Sequence, residues 1–187
     1  GNLTNARIIK KELENYGSIF QSTTDTEVII HLIALSHENT TVDRLISALR
    51  RVEGSYSLLV LTDKEMIAVR DPKGFRPLAL GKSKDCFVVS SESCAFDLIG
   101  ATFLREIQPG EMLHITRDGI TIHRPFKKKK RTYCIFEYVY FARPDSIMFG
   151  RTIYTVRKAF GRALAQETPT SADMVIPIPD SGISAAI

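Results

Sequence analysis

The sequence predicts an α+β fold that leads into the beginning of an α/β domain. Apolar residues at helical spacing fill the first part of the chain, and short β-rich runs separated by turns fill the middle. Helices followed by consecutive hairpins are typical of antiparallel sheets covered by helices. The pattern changes again after the basic run Lys127–Arg131. We therefore expect a first domain over residues 1–126, a basic linker over 127–133 and the start of a second domain over 134–187.

Three helices are predicted before the strands. Apolar spacing and the closing Gly17 predict a helix over Asn5–Tyr16, with a short strand expected next, around Ile19–Phe20. Thr24 and Glu27 have the spacing of a capping box ahead of a second helix. Val42–Val52 continues the helical pattern as a third helix.

Seven β-rich runs and a mixed tail follow. The predicted strands are Tyr56–Leu61, Met66–Arg70, Leu78–Leu80, Phe87–Val89, Phe103–Ile107, Glu111–Ile115 and Ile120–Arg124. Beyond the basic run we expect an extended segment, a helix and a strand, over Ile135–Ala142, Ile153–Glu167 and Met174–Ile178.

Composition narrows the possible function classes. The chain has 187 residues, 44% hydrophobic and 25% charged, as in an ordinary globular protein. Its net charge is +4, but five of the 25 basic residues lie in Lys127–Arg131, which has no interleaved aromatic residue. We interpret that run as a solvated linker and expect no nucleic-acid partner. No apolar stretch approaches the roughly 20 residues of a membrane span, and three cysteines without paired spacing favour a reducing compartment.

Four segments carry a resemblance to a known family. Cys134–Ser146 reads CIFEYVYFARPDS, Met174–Gly182 reads MVIPIPDSG, Arg70–Gly81 reads RDPKGFRPLALG, and Phe20–Ile33 contains T-D-T-E. Along its whole length the chain resembles the amidophosphoribosyltransferase family, as an internal fragment. The resemblance implies the C-terminal part of an αββα N-terminal-nucleophile glutaminase domain, of class II glutamine amidotransferase type. The start of an α/β phosphoribosyltransferase domain would follow it.

The resemblance also implies an activity and its partners. Members of this family hydrolyse glutamine and transfer the ammonia to phosphoribosyl pyrophosphate, which gives 5-phosphoribosylamine in the first step of purine synthesis. The fragment itself is expected to be inactive. Purine nucleotides are the expected feedback inhibitors, the intact protein is expected to be a cytoplasmic homo-oligomer, and no membrane partner is expected.

Two residues of the first domain match the family's glutamine site. By resemblance, Gly1 would contribute a backbone N–H to the oxyanion hole, and Asp25 would bind the α-amino group of glutamine. A glycine N–H can approach an oxyanion without side-chain obstruction, and a carboxylate pairs well with an ammonium group. The alternative for Asp25 is a carboxylate in the first turn of a helix, where it favours the helix dipole. None of the three cysteines can be an N-terminal nucleophile, so the resemblance places that residue before Gly1.

The second domain has a candidate phosphate loop. By resemblance, Asp180 and Gly182 would bind the pyrophosphate of the substrate, and the Ser181 hydroxyl would contribute to the Mg²⁺ site. Magnesium prefers hard oxygen ligands together with phosphate oxygens. The alternative is an ordinary turn in which Ser181 caps a helix.

Cys134 has two possible roles. It lies where the iron–sulfur members of the family supply the first ligand of a [4Fe-4S] cluster, so the resemblance allows a cluster ligand or a structural cysteine. Two other functions stay open for the chain as a whole. One is a sugar-phosphate amidotransferase, which the MVIPIPDSG segment disfavours, and the other is a regulatory nucleotide-binding module without catalysis.

Overall fold

Three helices and a four-stranded antiparallel sheet form the first of two structural units. The structure is a computed structural model and describes residues 2–84, 86–127 and 129–187. The first unit extends to Arg76 and includes Ile107–Tyr133, whereas the second combines Pro77–Glu106 with Cys134–Ile187. The boundary predicted between residues 126 and 134 stays a prediction.

The three predicted helices of the first unit are present. They are α1 (Ala6–Asn15), α2 (Glu27–Leu35) and α3 (Thr41–Leu49). In α1, Ala6, Ile9 and Leu13 recur at helical spacing and are buried. The Thr40 hydroxyl accepts the N–H of Asp43 at 3.0 Å and donates to its carboxylate at 2.6 Å, which fixes the start of α3.

The strands of this unit form two antiparallel sheets. Short strands β1 (Asn2–Leu3) and β2 (Gly54–Ser55) pair with each other. The larger sheet has the order β3-β4-β8-β9. Its strands are β3 (Ser57–Leu61), β4 (Met66–Arg70), β8 (Met112–Thr116) and β9 (Gly119–His123). Ile67, Val69 and Met112 of this sheet join Leu13, Leu32 and Leu45 of the helices in one hydrophobic core.

The second unit contains a three-stranded antiparallel sheet, a two-stranded sheet, one long helix and three short helical segments. The three-stranded sheet has the order β6-β5-β7, with strands β5 (Ala79–Ser83), β6 (Cys86–Ser90) and β7 (Thr102–Glu106). Helix α4 (Cys94–Leu98) places Phe96 in a core with Ala79 and Ala101. The remaining elements are a π-helical turn (Glu137–Phe141), β10 (Ile147–Met148), β11 (Arg151–Thr152), α5 (Ile153–Glu167) and α6 (Ile183–Ala186).

The predicted α+β class is confirmed, but three predicted extended segments are not strands. Ile19–Phe20 is irregular, and the Phe20 ring packs on His31 with centroids 4.3 Å apart. Ile135–Ala142 contains the π-helical turn instead, because buried Arg157 donates to the carbonyls of Tyr138 and Ala142, both at 2.7 Å.

Met174–Ile178 is the third segment without strand structure. The apolar side chains of this segment are largely exposed, between 70% for Val175 and 83% for Ile178. A strand needs a neighbour for its backbone hydrogen bonds, and no described strand pairs with this segment.

No helix within the described residues is both long enough and apolar enough to cross a membrane.

Candidate functional sites

Asp25 lies beside the beginning of the chain. Its carboxylate accepts the backbone N–H of Leu3 at 2.6 Å, and its side chain is half-buried. The helix that follows begins at Glu27, two residues after Asp25, and both interpretations of Asp25, as a glutamine ligand or as a carboxylate at a helix start, stay predictions. Gly1, the other predicted residue of this site, lies outside the described residues. The structure therefore places the Asp25 carboxylate next to the first strand.

Glu27 orders the loop that leads to Asp25. Sequence reasoning paired Glu27 with Thr24 in a capping box, but the Glu27 carboxylate instead accepts the N–H groups of Gln21 and Ser22 at 2.8 and 2.9 Å. It also accepts the Ser22 hydroxyl at 2.6 Å. These hydrogen bonds, that of the Ser22 hydroxyl first, lower the pKa of Glu27 to about 2. Sequence spacing alone could not distinguish the two arrangements, since both place Glu27 at the start of α2.

The Arg70–Gly74 segment contains a turn in which Arg70, Asp71 and Gly74 are buried. The Arg70 guanidinium donates to the carbonyls of Arg76, Ile107 and Gly74 at 2.8, 2.7 and 3.1 Å. The Asp71 carboxylate accepts the N–H groups of residues 73, 74 and 75 between 2.8 and 3.1 Å. Burial raises the pKa of Asp71, although these hydrogen bonds and Arg70 oppose the rise. Gly74 has φ +66°, and a Cβ there would lie 2.6 Å from the Pro109 ring. Arg70, Asp71 and Gly74 therefore stabilise the local fold of the Arg70–Gly74 segment.

Asp180 and Ser181 line a cavity of about 500 Å³ in the second unit. The cavity is also lined by Arg143, Asp145 and Arg157. Gly182 donates its N–H to the Ile178 carbonyl at 3.1 Å, and a Cβ on Gly182 would lie 2.6 Å from that oxygen. The predicted residues 180–182 thus form a tight turn at a cavity that holds both acidic and basic side chains.

Two residues that sequence reasoning missed help to build this cavity. Arg157 is buried, and burial lowers the pKa of its guanidinium. Its hydrogen bonds to the Tyr138 and Ala142 carbonyls fix the π-helical turn next to the cavity. Gly161 lets α5 approach α6 closely, because a Cβ at residue 161 would lie 1.9 Å from the Ala185 carbonyl oxygen. A glycine inside a helical pattern was the available sequence signal for that contact.

The described residues supply hard oxygen donors near Ser181, but they form no complete metal site there or near Cys134. The Ser181 hydroxyl and the Asp180 carboxylate are hard oxygen donors on one cavity, which fits an ion that also binds phosphate oxygens. A [4Fe-4S] cluster requires four thiolates. Within residues 2–84, 86–127 and 129–187, no three His, Cys, Asp or Glu side chains are grouped to hold a metal. The described residues near Cys134 therefore do not form a cluster site by themselves.

Comparison with known proteins identifies the class. The family of glutamine amidotransferase domains matches residues 1–97. The chain belongs to this family. Over its whole length it is 49% identical to amidophosphoribosyltransferase of Bacillus subtilis (strain 168) and 46% identical to the chloroplastic amidophosphoribosyltransferase 1 of Arabidopsis thaliana. It spans 39% and 33% of these two relatives.

A solved structure agrees with the sequence relatives. The glutamine phosphoribosylpyrophosphate amidotransferase of B. subtilis, complexed with ADP and GMP, matches with a TM-score of 0.96 and 48% identity. The match covers 99% of this chain and 41% of that one. The resemblance to amidophosphoribosyltransferase and the fold that it implies are thereby confirmed.

Proposed function

We propose that this chain is part of a glutamine-dependent amidophosphoribosyltransferase. The enzyme would release ammonia from glutamine and join it to phosphoribosyl pyrophosphate, which gives 5-phosphoribosylamine in the first step of purine synthesis. The supporting observation is that similarity to amidophosphoribosyltransferases covers the whole chain, whereas the amidotransferase family alone matches residues 1–97. Since the chain spans about two fifths of the B. subtilis relative, this activity belongs to a longer protein.

In the glutaminase half, Asp25 would bind the α-ammonium group of glutamine. A carboxylate has about four acceptor positions, so the hydrogen bond from the Leu3 N–H leaves capacity for a substrate. Glu27 supports this role by holding residues 21 and 22, just before Asp25. Gly1 would donate its N–H to the oxyanion that forms when the nucleophile attacks the glutamine amide.

In the phosphoribosyl half, the turn at residues 180–182 would bind pyrophosphate. The Ser181 hydroxyl offers a hydrogen bond, and Arg143, which is paired with Asp145, lines the same cavity and could bind a phosphate oxygen. Magnesium held by Ser181 and the substrate would stabilise negative charge on the departing pyrophosphate. The ribose C1 carbon becomes electron-poor as its bond to the pyrophosphate oxygen weakens, and it would then accept ammonia.

Further properties follow from the same proposal. The bound ADP and GMP of the solved relative support feedback inhibition by purine nucleotides. A homo-oligomer in the cytoplasm is the expected assembly and location of the full-length protein. Cys134 would be either one ligand of a [4Fe-4S] cluster or a structural thiol.

Two substitutions in the full-length protein test the proposal together. Asp25→Asn should lower glutamine-dependent synthesis by about one to two decades, because losing a charge-assisted contact costs roughly 1.5–3 kcal/mol. Ammonia-dependent synthesis should persist. Ser181→Ala should instead weaken the use of phosphoribosyl pyrophosphate with either nitrogen donor, while glutamine hydrolysis measured alone persists.

The controls are Asp63→Asn and Ser171→Ala, which change exposed residues outside both sites. Steady-state rates with glutamine and with ammonium salts would measure each half-reaction. An unmodified protein that forms no 5-phosphoribosylamine would contradict the proposed function. An equal loss of synthesis with glutamine and with ammonia in Asp25→Asn would show that Asp25 is structural. An unchanged dependence of synthesis on Mg²⁺ in Ser181→Ala would show that the Ser181 hydroxyl only caps the helix.

A further inference from the structure

We propose that Glu92 is a positioning residue for the use of phosphoribosyl pyrophosphate. Its carboxylate holds the turn at residues 143–146, which forms one wall of the Asp180–Ser181 cavity. One carboxylate oxygen of Glu92, Oε2, accepts the Arg143 N–H at 2.8 Å and the Ser146 hydroxyl at 2.8 Å. These partners are 51 and 54 residues away in sequence. The inference rests on the proposed function, since it concerns the substrate of that cavity.

Neighbouring side chains hold the segment that directly follows this turn. The Ser93 hydroxyl accepts the Ile147 N–H at 2.8 Å, and the Glu106 carboxylate accepts the Phe149 N–H. We refer to Glu92, Ser93 and Glu106 as the clamp. The clamp fixes backbone N–H groups at residues 143, 147 and 149, so the turn and the segment after it are held at several points.

Burial makes the Glu92 contact costly to lose. Ser146 is fully buried at 0% exposure, and Ser93 is buried at 6%. A buried hydroxyl without its acceptor keeps its desolvation cost. Removal of the Glu92 carboxylate should therefore move the turn until Ser146 finds another partner.

The same turn lines the candidate substrate cavity. Arg143, Pro144 and Asp145 line the cavity together with Asp180 and Ser181. The Arg143 guanidinium pairs with the Asp145 carboxylate, with Nη2 and Oδ2 2.8 Å apart. A shift of the turn would displace this ion pair relative to Ser181, and misplacement of a binding group weakens substrate binding.

Glu92 lies inside the segment that matches the amidotransferase family, and its hydrogen-bond partners, Arg143 and Ser146, lie outside that segment. Ser93 lies inside the same segment. Residues of the amidotransferase segment thus position a cavity wall that the amidotransferase family alone does not contain. This placement argues that Glu92 serves the phosphoribosyl reaction rather than glutamine hydrolysis.

Kinetics of Glu92→Ala and Glu92→Gln in the full-length protein test the inference. Glu92→Ala should raise KM for phosphoribosyl pyrophosphate about tenfold, equivalent to ~1.4 kcal/mol, with glutamine or ammonia as donor. KM for glutamine and kcat at saturating substrate should change less. Glu92→Gln should recover much of the loss, because a single amide oxygen can still accept from Arg143 and Ser146.

Matched variants separate a specific effect from general damage. Asp97→Ala removes an exposed acid five residues further along and should leave KM for phosphoribosyl pyrophosphate unchanged. Ser146→Ala removes one partner of Glu92 and should raise this KM less than Glu92→Ala does. An unchanged KM in Glu92→Ala, or equal increases in KM for both substrates, would overturn the inference while leaving the proposed function intact. Failure of the proposed function would instead appear as an inactive unmodified protein.

Discussion

Individual carboxylates in the T-D-T-E segment have different tasks. Asp25 accepts a single described hydrogen bond, from Leu3, whereas Glu27 collects three from Gln21 and Ser22. A carboxylate with several hydrogen bonds to one loop is suited to hold that loop, and a carboxylate with a single described partner can still bind a ligand. Glu27 therefore orders the loop, and the half-buried Asp25 is the candidate for substrate binding.

The hydrogen bonds to Glu27 predict a pH dependence of stability. The folded pKa of Glu27, about 2, lies below its ordinary value of 4.5, so folding favours the charged form. The stabilisation is fully present above pH 4.5 and is lost as the pH falls towards 2. Glu27→Gln should flatten the decline of Tm across this window, as measured by thermal denaturation followed by circular dichroism.

The control for that experiment is Glu14→Gln in α1, an exposed acid that accepts no described side-chain hydrogen bond. The decline of Tm between pH 4.5 and 2 should keep its wild-type slope in this variant. If Glu27→Gln and the wild type lost stability in parallel, the hydrogen bonds to Glu27 would not govern the loop.

At the scale of elements, α5 positions the turn of the second site. Gly161 lies in the interior of α5, and a side chain at this position would meet the backbone of α6 at Ala185. Helix α6 begins directly after Ser181 and Gly182. The approach of the two helices therefore helps to place the candidate phosphate loop.

Gly161→Ala should destabilise the second unit despite the better helix propensity of alanine. Propensity alone would stabilise α5 by about 1 kcal/mol, but inserting a methyl group into a close backbone contact costs typically 1–3 kcal/mol. We expect a net loss of stability or a displaced α6, with a weaker use of phosphoribosyl pyrophosphate in the full-length protein. Denaturant unfolding and hydrogen exchange at residues 183–186 would measure the two effects.

Ala165→Gly is the matched control, since Ala165 is exposed on the same helix. It should cost about 1 kcal/mol through propensity alone and leave exchange in α6 unchanged. A stabilised Gly161→Ala protein with normal protection of α6 would show that the two helices do not need this glycine.

At the scale of the whole molecule, the structural units do not follow the chain in order. Residues 77–97 belong to the segment that matches the amidotransferase family, yet their contacts place them with Cys134–Ile187. The clamp formed by Glu92, Ser93 and Glu106 contributes to this grouping. A family match and a structural unit can therefore have different limits in one chain.

Cys134 carries a prediction for the full-length protein. If it is a cluster ligand, anaerobically purified protein should be brown, with a broad visible absorption and about four iron atoms per chain. Cys134→Ser should then bleach and destabilise the protein, because one of four thiolates is lost. Absorption spectra and iron analysis would measure this.

Cys86→Ser changes an exposed thiol and is the control for the cluster experiment. It should keep the colour and the iron content. A colourless, iron-free and fully active protein would leave Cys134 as a structural thiol.

The sequence by itself determined the α+β class, the family and most elements of regular structure. The helix at Ile153–Glu167 and the strand at Met66–Arg70 have the predicted limits. These elements are set by local apolar periodicity and by turn residues, which a single sequence displays directly. Motifs that are contiguous in sequence predict Asp25 and residues 180–182 as site residues, and these assignments stay predictions.

Only the tertiary structure decided the features that depend on distant partners. Met174–Ile178 has the apolar composition of a strand, but strand formation requires a neighbouring strand and no described one is present. Glu92 meets Arg143 and Ser146 from 51 and 54 residues away, and buried Arg157 turns a predicted extended segment into a π-helical turn. Hydrogen bonds across such separations depend on the folded path of the backbone, which local sequence patterns do not encode.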